Sequence, residues 1–74
     1  MNVILVNGKP RDARDSVSRD DLIQLAYGPA ADPAGVTTVV EYRDGDAFVP
    51  LAAGASVGTR RGMVFRVTRQ EIAP

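Results

Sequence analysis

Apolar and polar residues alternate through Met63-Val64-Phe65-Arg66-Val67-Thr68. In an extended chain Met63, Phe65 and Val67 fall on one side, and Val64, Arg66 and Thr68 on the other. The pattern predicts a half-buried strand entered through a turn at Thr59-Arg60-Arg61-Gly62. A second alternating stretch, residues 36–42, sets Thr38, Val40 and Tyr42 against Thr37, Val39 and Glu41. Val3-Ile4-Leu5-Val6 is apolar throughout and ends at Asn7-Gly8. Both of those residues tolerate the positive φ of a type I′ hairpin turn. The return strand is expected at residues 11–17, with Pro10 delaying its start. It has little to bury beyond Ala13 and Val17, and Asp12, Arg14 and Asp15 suit an edge that discourages pairing with a second molecule.

The pattern changes at Ser18. With Asp21 three residues on, Ser18 nearly matches a capping box, and Asp20 and Asp21 sit where a helix dipole favours negative charge. Leu22, Ile23, Leu25 and Ala26 supply an apolar face, and Gly28-Pro29 stops the helix. A helix this short needs a sheet to pack on. Residues 29–35 form a stiff small-residue loop. Asp44-Gly45 makes a turn, Phe48-Val49 a short strand closed by Pro50, and residues 51–62 an Ala/Gly-rich loop anchored by Leu51 and Val57. The predicted class is α+β, a mixed sheet of four to five strands covered by one short helix. If that helix is a crossover, the first and last strands lie parallel in the sheet centre, the β-grasp arrangement of ubiquitin.

Composition narrows the function. The chain has 74 residues, enough for one domain with a modest core. It has no cysteine and no histidine, which removes thiol chemistry and the commonest general base and metal ligand. Ser16, Ser18 and Ser56 therefore lack an imidazole partner, and an enzyme is not expected. Nine basic and nine acidic side chains balance, so no global field draws nucleic acid or a membrane. Asp44-Gly45-Asp46 lacks the remaining ligands of a calcium loop, and residues 54–58 lack the Gly-Lys-Ser/Thr of a phosphate loop. No metal or cofactor is expected. The absence of a membrane-length apolar run points to a soluble cytoplasmic protein.

Four motifs carry a family resemblance: Val6-Asn7-Gly8-Lys9-Pro10, Leu25-Ala26-Tyr27, Val39-Val40-Glu41-Tyr42-Arg43 and Gly62-Met63-Val64-Phe65-Arg66-Val67-Thr68. In this order, from Val3 to Thr68, they resemble the bacterial multiubiquitin domain, here as a single domain. The resemblance implies a ubiquitin-like β-grasp modifier with three kinds of partner: an E1-like activating enzyme, an E2-like conjugating enzyme and a deconjugating or processing peptidase. It also implies a possible setting in antiphage defence. In such systems the C-terminal carboxylate is adenylated, passed on as a thioester and transferred to a target. The usual Gly-Gly ending is absent; the last glycine is Gly62. Conjugation is expected to use another residue after trimming rather than Pro74 itself, whose ring fixes the backbone.

The expected division is a domain over residues 1–68 and a flexible conjugation tail over 69–74, namely Arg69, Gln70, Glu71, Ile72, Ala73 and Pro74. The plain alternative for that segment is an ordinary frayed terminus. Val39, Phe48, Val49 and Val64, bordered by Arg66 and Thr68, are the candidate partner-binding surface on the outer sheet face. Lys9, the only lysine, is the one side chain available for lysine-linked chains. Arg60 and Arg61, with Arg66 and Arg69, read as solvated surface ahead of a nucleic-acid patch. The alternative function is a non-conjugated module docking on an E2-like or other partner through the sheet.

Overall fold

The computed structural model describes residues 1–28 and 35–71. Asn7 (φ 53°) and Gly8 (φ 79°) make the expected type I′ turn. That turn joins β1 (Asn2–Val6) to β2 (Lys9–Ala13) in antiparallel register from Val6↔Lys9 to Asn2↔Ala13. The return strand thus starts earlier than expected, and Pro10 lies within it opposite Leu5. This is tolerated because β2 is the sheet edge. One residue on from the closing pair of a two-residue hairpin the alternation reverses: Pro10 turns its nitrogen outward, where no ladder bond is needed.

Chain pairing breaks after Ala13, so the expected return strand of residues 11–17 is two elements. The second, β3 (Ser16–Ser18), leaves the main sheet and pairs with β6 (Ser56–Gly58), setting Val17 against Val57. Helix α1 (Arg19–Tyr27) follows directly. Its capping box is complete: Asp21 N–H donates to Ser18 Oγ at 3.1 Å, and Ser18 N–H donates to Asp21 Oδ2 at 3.0 Å. The helix ends where Gly28 takes a φ of 83°, its N–H donating to the Gln24 carbonyl at 2.8 Å.

The two alternating stretches become β4 (Val36–Asp44) and β7 (Val64–Glu71), antiparallel from Val36↔Glu71 to Tyr42↔Phe65. The turn to β5 (Ala47–Pro50) is a two-residue loop with Gly45 at φ 63° in its first position. β7 also runs parallel to β1, with Leu5↔Val64 and Val6↔Phe65 in register. The result is an α+β domain with a mixed five-stranded sheet, order β2-β1-β7-β4-β5, and one helix. The parallel pair is central, as expected, and the arrangement is compatible with a β-grasp.

One face of the sheet carries the core. Ile4, Val6, Val40, Phe65 and Val67 are buried there against Leu22 of the helix, with Ala13, Val17 and Leu51 closing the sides. Ile23, Leu25, Ala26, Tyr42, Val57 and Met63 pack around it half-buried. Leu51 and Val57 therefore act as the loop anchors predicted. The loop expected at residues 29–35 lies outside the described residues but for Gly35. No helix among the described residues is long and apolar enough to cross a membrane.

Candidate functional site

Alternation along each strand fixes which side chains face away from the helix. On β4 and β7 the pairs Val39↔Thr68 and Glu41↔Arg66 lie between the buried pairs, so these four residues share the outer face. Val64 joins them beside Leu5 of β1, and Phe48 follows from its pairing with Arg43. Five of the six residues expected on a partner-binding surface thus come together: Val39, Phe48, Val64, Arg66 and Thr68. The sixth does not. Val49 pairs with Tyr42, whose face is that of Phe65, so Val49 points to the helix side. The strand around Phe48-Val49 is too short for alternation to show which of the pair faces outward.

Two outer-face residues were missed. Val3 and Leu5 flank the buried Ile4 and stand on the outer side, Val3 at 47% exposure. In a continuous apolar run, inward and outward residues look alike, and only the neighbouring strand separates them. The face therefore groups Val3, Leu5 and Val64, while Val39 beside Thr68 is set apart from them by the Glu41–Arg66 pair and Phe48 lies beyond Arg43 on β5. Across it, Arg66 Nε donates to Glu41 Oε1 at 3.0 Å, and the Arg66 guanidinium lies 4.1 Å from the centroid of the Phe48 ring. Arg66 is half exposed, so this contact contributes tenths of a kcal/mol rather than several. Its role is to hold an aromatic ring and a cation in one place on the surface.

The chain end differs from the expected boundary. β7 runs to Glu71, and Arg69, Gln70 and Glu71 pair with Thr38, Thr37 and Val36. A tail starting at residue 69 is corrected by those pairs; Ile72, Ala73 and Pro74 lie outside the described residues. Arg69 is also turned to the helix side, its guanidinium 4.1 Å from the Tyr27 ring centroid. The Tyr27 hydroxyl donates to the Val67 carbonyl at 3.1 Å, so the helix end is fastened to the last strand. Lys9 begins β2, exposed beside the Asn7-Gly8 turn.

The arginines grouped along the sequence separate in space. Arg66 lies on the outer face and Arg69 on the inner, while Arg60 and Arg61 are exposed in the turn before β7. Ser18 serves the helix cap, and Ser16 and Ser56 lie on the small β3–β6 ribbon. Among the described residues no group of three or more His, Cys, Asp or Glu is placed to hold a metal ion. No family model matches the chain, and neither a curated protein nor a solved structure matches it significantly.

Proposed function

We propose that this chain is a ubiquitin-like β-grasp modifier, handed by its carboxyl end to E1- and E2-like enzymes and not itself a catalyst. The observation that carries the reading is topological. The first and last strands are parallel neighbours at the sheet centre, with the helix lying between them in sequence and packed on one face. That order coincides with the ordered motifs resembling the multiubiquitin domain. The last described strand is central in the sheet and runs to Glu71, its final residues paired with β4, which anchors whatever follows Glu71 to the folded body. A modifier needs such a body, because the enzymes act on the chain end and the sheet and helix stay folded. The test is to incubate the protein with the cognate E1-like enzyme and ATP and read intact mass. An adenylate or thioester adduct is expected on the full chain or on chains ending between residues 71 and 73. No adduct on any of them removes the conjugation claim.

A second reading is favoured by the apolar group on the outer face: a docking module that is not conjugated. Val64→Glu places a charge within that group, on the side away from the core. In this reading it abolishes calorimetric binding to an E2-like partner while the fold survives. Unchanged affinity sinks it.

A further inference from the structure

At one end of the sheet, the β4–β5 hairpin and the turn before β7 face each other across a cleft of about 330 Å³. Its lining is Arg43, Gly45, Arg60, Arg61, Gly62, Met63 and Val64. Three of the seven lining residues are arginines, none is acidic, and no ion pair reaches Arg43, Arg60 or Arg61 among the described residues. Asp44 and Asp46 flank the hairpin tip but do not line the cleft. Arg43 donates its Nε to the Gly45 carbonyl at 3.0 Å, which fixes the guanidinium and leaves its terminal nitrogens available. Like charges lining one cleft repel one another, and an anion bound among them relieves that repulsion. Arginine forks also match carboxylate and phosphate oxygens two at a time.

We infer that this cleft binds the carboxylates of an acidic segment in a protein partner lying on the outer sheet face. The inference rests on that face being the partner-facing surface, as in the second reading above. Two observations select the occupant. The cleft opens directly onto Met63 and Val64, so its ligand carries apolar groups beside the acidic ones. The chain has no net charge and no aromatic residue lines the cleft, whereas nucleic-acid binding draws on a positive field and on rings for stacking. The sequence grouped Arg60 and Arg61 with Arg66 and Arg69; the fold replaces the latter two with Arg43, seventeen residues before Arg60.

The test uses the intact chain labelled with ¹⁵N and a capped peptide of six glutamates, with and without two added leucines. Saturable amide shifts confined to Gly45, Arg60, Arg61, Gly62 and their neighbours, weakening with salt, are expected. Arg60→Glu with Arg61→Glu, both exposed turn positions, should weaken binding by about 10-fold or more, and Arg43→Gln by less. Unchanged spectra elsewhere in the variants show that the fold is retained. Absence of saturable shifts, or equal binding by the double variant, overturns the cleft. Tighter binding of a ten-nucleotide oligothymidine, or equally tight binding of inorganic phosphate, overturns the acidic protein segment as its ligand. The leucine-extended peptide separates the two claims. If hexaglutamate binds but the leucines add nothing and Val39→Glu, on the outer face but outside the cleft lining, changes nothing, the outer-face reading fails while the cleft stands.

Discussion

Asn7 does two jobs. Its φ of 53° opens the hairpin turn, and its side-chain amide then extends the parallel β1–β7 ladder by one rung. The main chain supplies the preceding rungs: Leu5 N–H donates to the Met63 carbonyl at 2.9 Å, and Asn7 N–H to the Phe65 carbonyl at 3.1 Å. The turn then carries the Asn7 carbonyl away. Asn7 Oδ1 takes its place by accepting from Val67 N–H at 2.8 Å, while Nδ2 donates to the Val67 carbonyl at 3.0 Å. Asn7→Gly keeps the turn, since glycine accepts positive φ, but leaves the Val67 N–H without its partner, so it should lower stability by about 1–2 kcal/mol in chemical denaturation. Asn7→Asp keeps that acceptor but sets a carboxylate against the Val67 carbonyl, and is expected to cost at least as much. Stability equal to the parent in both variants would falsify the ladder role. At the other end of β1 side chains tie the strand to the loops: Asn2 Nδ2 donates to Thr59 Oγ1 at 2.9 Å, and Thr59 Oγ1 donates to the Arg14 carbonyl. In the sequence Asn7 is legible only as a turn former, because its second partner lies sixty residues away on a strand whose placement the turn alone does not reveal.

Both edges of the sheet are closed by the same device. Pro10 on β2 and Pro50 on β5 each pair across a position whose backbone groups face outward, opposite Leu5 and Glu41. On β5 the neighbouring bond from Leu51 N–H to the Val40 carbonyl, 2.8 Å, confirms that alternation. A proline there removes the N–H that an incoming strand would use, at no cost to the sheet itself. On β2 the remaining acceptor is covered too, because Arg11 Nη1 donates to the Pro10 carbonyl at 3.0 Å. Pro10→Thr therefore restores a strand-forming residue with a free donor on an exposed edge. The variant should stay folded and self-associate in sedimentation measurements at concentrations where the parent is monodisperse; identical sedimentation of the two would rule out the edge-closing role. In the sequence Pro10 reads as a strand breaker, which places the start of β2 too late. Elements with one buried face, β4 and β7, were readable from alternation alone. The β3–β6 ribbon was not: three residues on each side, with Val17 and Val57 the only apolar pair, leave no period to detect.

A domain of this size keeps only a small margin of stability, so each strand rung counts in the whole. The last strand concentrates that dependence. β7 supplies Phe65 and Val67 to the core, pairs with both β1 and β4, and holds the helix end through Tyr27. Residues 69–71 belong to this structure as much as to any exit from it. Chains ending at Glu71 and at Thr68 differ by the pairs Thr38↔Arg69, Thr37↔Gln70 and Val36↔Glu71 and by the Arg69–Tyr27 stack. The shorter chain should therefore unfold at lower temperature, with a deficit of about 1–3 kcal/mol from lost strand bonds and the cation–ring contact. Equal melting temperatures would show that residues 69–71 add nothing to the fold and belong with the tail. The comparison also decides how function is tested. A chain cut back to Thr68 that fails to form an adduct has lost sheet as well as terminus, so its failure says little about conjugation. A chain ending at Glu71 keeps every described contact of β7 and isolates the terminus. Adduct formation by the full chain but not by the chain ending at Glu71 would show that activation needs residues 72–74, and adducts on both, each at its own terminal carboxylate, would show that it does not.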